Sequence, residues 1–141
     1  MSKMKIEMTE SQYQKLTELV YLGNWLVNAH RNEEVSHYEE LEQFVYKNAG
    51  STDIIYDKED DFYHLKAELE EKLHRYIKEY EDYNFWEELT YRLANRDLLR
   101  ELGPKGKLEQ KDIDRRLKIA EGYENEFIKN GLKNMTVEKS I

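Results

Sequence analysis

Cysteine is absent from this 141-residue chain, proline occurs once and glycine six times. Without cysteine there is no disulfide framework, no thiolate zinc site and no cysteine nucleophile, which fits a reducing compartment. One proline and few glycines leave little to interrupt helices. No run of residues alternates strongly between apolar and polar, so nothing argues for a sheet. Long apolar runs are missing as well. The most apolar stretch, residues 19–30, has 12 residues, short of the ~20 that a bilayer span needs. The opening MSKMKIEMTESQ carries charges and lacks an apolar core, so no signal peptide is expected and the setting read from the sequence is cytoplasmic. There is no phosphate-binding Gly-x-x-x-x-Gly-Lys loop and no Rossmann glycine pattern. Positive charge is in deficit, with 22 Lys and Arg against 30 Asp and Glu. A net charge of −8 argues against gripping phosphate backbones, so direct nucleic-acid binding is not expected. An acidic helical surface could instead imitate nucleic acid, but the charges alternate in sign rather than forming blocks, as a solvated face does.

What is present is helical. The stretch LVYLGNWLVNAH stands out in a chain with 37% charged residues. On a helix it is apolar nearly all round, the mark of an element covered on more than one side. It is therefore expected to form the spine of the fold. Asn24, Asn28 and His30 ride on it and would need buried partners. Gly23 costs about 1 kcal/mol against Ala within a helix, which close approach of a second helix would offset. Hydrophobic residues at 39% and aromatics at 12% argue against disorder, and the length suits one domain with a core of its own.

Capping signals divide the chain. Thr9-x-x-Gln12 opens a helix over residues 10–31, and Ser36-x-x-Glu39 opens a second to residue 49. Residues 50–59 read as a loop pinned by Ile54, Ile55 and Tyr56. A helical region follows over residues 60–102, with a stripe of Phe62, Leu65, Leu69, Leu73, Tyr76, Ile77 and Tyr80. Asn84-x-x-Glu87 is a third capping box, and the expected break at residues 82–84 gives two helices, a continuous kinked helix being the alternative. Gly103-Pro104 ends this region, residues 105–107 connect, and a last helix runs over residues 109–130 to Gly131. The resulting expectation is all-α: one domain over residues 1–131, a compact bundle of about five helices around the central apolar first helix. Residues 132–141 form a partly ordered or frayed tail.

Several motifs that could carry chemistry fail on geometry. Two Glu-x-x-His pairs, Glu34 to His37 and Glu71 to His74, have the spacing of a di-iron bundle site. Glu71 lies about 180° from the third helix's apolar stripe and His74 about 120°, so both should face water, while the other pair straddles a helix start. Glu68-x-x-Glu71 and Glu79-x-x-Asp82 resemble the Mg²⁺ carboxylates of all-α nucleotide pyrophosphohydrolases, yet they share one outer helix face where a metal needs converging ligands. No metal or cofactor is expected. The turn Gly103-Pro104-Lys105-Gly106-Lys107 could accept an anion at a helix start, though an ordinary helix stop explains it.

Two groups of residues remain. Arg92, Arg96 and Arg100 repeat at i, i+4, i+8 beside Phe85 and Leu89, Glu124 falls within the last helix's stripe between Leu117 and Ile128, and His30 lies on the first helix's apolar face. With Asn24 and Asn28 they form a candidate polar cluster, either a structural network or a pocket for an anionic ligand with arginine as clamp. Tyr21, Trp25, Tyr83 and Trp86 form a candidate interface, since aromatics with one polar end suit protein contacts. The favoured function is a non-enzymatic acidic helical protein that works through a protein partner or through self-association, a homodimer being one form. The alternative is a small-molecule or anion-binding protein, or an enzyme, that uses the His/Arg/Glu cluster with His30 as candidate acid or base.

Overall fold

Thr9 opens the first helix as its spacing predicts. Its hydroxyl accepts from the Gln12 N–H at 3.1 Å and the Gln12 side chain accepts from the Thr9 N–H at 2.9 Å, closing a capping box. In the computed structural model, which describes residues 1–104 and 106–139, α1 spans Glu10–Asn28 and α2 spans Ser36–Lys47. A hairpin of β1 (Ile54–Asp57) and β2 (Phe62–Leu65) comes next, then α3 (Ala67–Leu102) and α4 (Gln110–Asn130). Among the described residues the chain is mainly helical, and no helix is long and apolar enough to cross a membrane. Lys105 of the expected connector and anion-accepting turn, and the last two residues of the tail, lie outside the described residues.

Four expectations are corrected. The helices number four among the described residues rather than about five, because α3 runs unbroken through Asn84 for 36 residues. The third capping-box pattern lies inside a helix, where its residues carry no cap. The segment read as a loop and helix start is an antiparallel hairpin, with Ile54 opposite Leu65 and Tyr56 opposite Tyr63. Phe62 and Leu65, three apart, satisfy a helical stripe, but on the strand they fall on opposite faces. The Ser36 box is not formed either. Val35 stands at the cap position without a side-chain cap, and Asn28 binds both its N–H at 2.8 Å and its carbonyl at 3.2 Å. Finally, α1 is not enclosed. Leu19 and Leu26 are 64% and 60% exposed, and a Cβ added at Gly23 would meet open space. The elements beside α1 cover only one side of it.

Contacts gather into two compact units, Met1–Lys78 and Glu79–Ile141. In the first, Tyr46, Leu65 and Leu73 form the buried centre, with Val20, Leu22 and Ile54 packed around it. Tyr13 donates its hydroxyl to the Val45 carbonyl at 2.7 Å, tying α1 to α2. The Gln43 amide exchanges both hydrogen bonds with the Tyr63 backbone at 2.8 and 2.9 Å. A side chain of α2 thus satisfies the outer edge of β2 as a neighbouring strand would.

In the second unit Leu93, Ala94, Leu98 and Phe127 are buried. Arg115 of α4 clasps Glu101 of α3 through two hydrogen bonds of 3.0 and 2.7 Å, and the Arg116 guanidinium lies over the Tyr91 ring at 5.2 Å. Gly103 and Gly131 end their helices at φ 69° and 57°, a left-handed backbone that glycine adopts without a steric penalty.

Candidate functional site

Asn24 and Asn28, one turn apart on α1, begin a chain of polar contacts in the first unit. The Asn28 amide donates to the Asn24 carbonyl oxygen at 2.6 Å, and Asn24 donates to Glu42 Oε2 of α2 at 3.0 Å. Glu42 is only 7% exposed. Burial raises its pKa to about 7, and the hydrogen bond from Asn24 opposes that rise. Nearby on α2, Glu39 is also raised to about 7, first by its hydrogen bond with Glu34 and then by burial. Two carboxyls sharing a proton resist joint ionisation.

Tyr21 of α1 donates to Glu70 at 3.0 Å and sits 2.7 Å from His74 Nε2, both on the first turns of α3. With the phenol proton given to Glu70, the Tyr21 oxygen is free to accept from His74 Nε2. Burial, followed by the Glu70 contact, pushes the Tyr21 phenol upward. The His74 ring meets those of Tyr21 and Trp25 edge-on, each at 5.8 Å between centroids. The Tyr46 hydroxyl is the buried side-chain polar atom without a hydrogen-bond partner among the described residues. The Asn28–Asn24–Glu42 chain ties α1 to α2, and the Tyr21 contacts with Glu70 and His74 tie α1 to the start of α3.

The second unit carries a different arrangement. Arg96 donates to Asp97 at 2.9 Å and to the Tyr123 hydroxyl at 3.2 Å, and Tyr123 donates to Asp97 in turn. The Tyr123 contact, with Arg96 beside it, holds the Asp97 carboxyl below its ordinary value. Arg92 is engaged by Glu88 on the surface at 3.2 Å. Phe127 is buried between Tyr123, stacked at 5.9 Å, and Trp86, at 5.5 Å. Alongside runs a groove of about 430 Å³ whose lining includes Trp86, Leu117, Phe127 and Ile128, with Glu87 of α3 and Glu124 of α4. Leu117 and Ile128 are 63% and 76% exposed. Leu117, Glu124 and Ile128 therefore face outward, while Phe127 carries the burial on this helix.

Of the candidate polar cluster, Asn24, Asn28 and His30 belong to the first unit and Arg92, Arg96 and Glu124 to the second. Asn24 and Asn28 are joined directly. His30 lies exposed beyond the end of α1, and each arginine has its carboxylate partner within its own unit. Of the candidate interface, Tyr21 and Trp25 are half-buried against His74, Trp86 lines the groove, and Tyr83 is 65% exposed. Glu42, Glu70, His74 and Tyr123 were not singled out as members of these groups. His74 was expected to face water, and its half-buried place against two α1 aromatics corrects that. The available signal was the pair of asparagines on an apolar helix, which required a polar partner on a neighbouring element. Among the described residues no group of three or more metal-ligating side chains is gathered. Comparisons with protein-family models, curated proteins and solved structures find no match to this chain.

Proposed function

We propose that this protein acts by binding protein, its own copies first, through apolar helix faces left open on an otherwise charged molecule. The observation that carries the reading is the groove beside α4, where Leu117 and Ile128 stand 63% and 76% exposed around half-buried Trp86. Open apolar surface rimmed by polar groups is what interaction sites present. The same theme recurs on α2, whose Tyr38, Leu41 and Phe44 are 49%, 52% and 65% exposed, and on α1 at Leu19 and Leu26.

Native mass spectrometry at micromolar concentration tests the proposal. A species heavier than 17.1 kDa whose share grows with concentration is expected, and a monomer throughout contradicts it.

A further inference from the structure

We propose that the groove between α3 and α4 receives the N-terminal arm of a second copy of this chain. The inference rests on the self-association reading and names the segment that would carry it. Residues 1–8 belong to no helix or strand and lead into the Thr9 cap. Met4, Ile6 and Met8 are 85%, 70% and 42% exposed. Their two-residue spacing places them on one face of an extended chain, with Lys3, Lys5 and Glu7 on the other.

The groove is complementary in both respects. Its lining is apolar and aromatic, which suits methionine, a flexible side chain with favourable sulfur–aromatic contacts. Glu87 and Glu124 stand on its two sides, one on each helix, exposed and without a partner among the described residues. Lys3 and Lys5 are likewise unpartnered there. A lysine stem can lie along apolar surface while its ammonium reaches a carboxylate at the rim. In a chain of net charge −8, the arm joins exposed apolar residues to positive charge, and the groove joins an apolar lining to negative charge. Each chain offers one arm and one groove, the two elements that exchange between two copies requires.

The absence of cysteine allows a direct trap. An Ile6→Cys chain is mixed with an Ile128→Cys chain and oxidised gently, so that any disulfide between the two positions joins separate molecules. A disulfide forms only where the two Cα atoms come within about 7 Å. The mixed disulfide is expected as the main covalent product. Glu124→Lys in the second chain should reduce it several-fold, and Lys5→Glu added to the first should restore it. A Lys58→Cys chain, altered at the hairpin turn, serves as the control partner for Ile128→Cys. Trapping of the Ile6 chain no faster than this control, with wild-type protein still self-associated in native mass spectrometry, overturns the arm and leaves the self-association reading standing. A wild-type monomer overturns both.

Discussion

Glu42 shows how one residue can set the pH response of the first unit. In the native state its carboxyl is buried and raised to about 7, whereas an unfolded glutamate titrates near 4.5. Between those values the folded chain holds a proton that the unfolded chain has lost. The contribution to stability is therefore fully present below about pH 4.5 and is lost as pH rises through about 7. Allowing for partial solvent screening, the difference is about 2 kcal/mol. Glu42→Gln keeps an acceptor for Asn24 and removes the charge. Urea melts at equal protein concentration should find it more stable than wild type by about 2 kcal/mol at pH 8 and nearly equal at pH 4.5. The Glu34–Glu39 pair leaves some slope of the same sign in both chains. A variant whose stability runs parallel to wild type across this range would remove Glu42 from the account. Asn24 and Asn28 were legible because amides on an apolar helix need partners. Glu42 was not, because a glutamate in a charged helix reads as solvated, and its burial depends on which face of α2 meets α1.

At the scale of elements, the readable signals were those with local causes. The Thr9 box, the Gly103-Pro104 stop and the Gly131 end are fixed by backbone geometry within a few residues, and each falls where the sequence places it. The failures have causes farther away. Val35 takes the start of α2 because Asn28, seven residues earlier, serves its backbone. The hairpin has strands of four residues and a Lys58–Asp61 turn without the Asn-Gly or Asp-Gly pair that announces a two-residue loop. Its outer edge is satisfied by Gln43, twenty residues from Tyr63. For α3, Asn84 gives a test whose sign decides. In an unbroken exposed helix Asn84→Ala should raise stability by about 0.5 kcal/mol, since alanine is the better helix former. Were Asn84 a cap between two helices, the same change would lower stability by about 1 kcal/mol. Urea unfolding midpoints of the two chains distinguish these outcomes.

For the whole molecule, the uncharged stretch over residues 19–30 correctly marked a helix, but not what covers it. All-round apolarity says that a helix has more apolar surface than one neighbour can bury. It does not say whether the missing cover comes from the same chain. Here Leu19, Gly23 and Leu26 look into open space, as do Leu117 and Ile128 on α4. Sequence periodicity identified these faces as apolar and took them for core because a stripe carries no record of its partner. The acidic surface keeps like molecules apart in general, so any association must come from places where apolar area and opposite charge coincide.

The most direct measurement is sedimentation equilibrium of the full chain beside its Ile128→Asp variant at several concentrations. Ile128 is 76% exposed, so the added charge should leave the melting temperature of the dissociated chain unchanged while disrupting the apolar groove wall. Wild type should sediment above 17.1 kDa with concentration-dependent mass, and the variant should remain monomeric over the same range. A wild type that is monomeric throughout, or a variant that associates equally well, would contradict the claim that this groove joins copies of the protein.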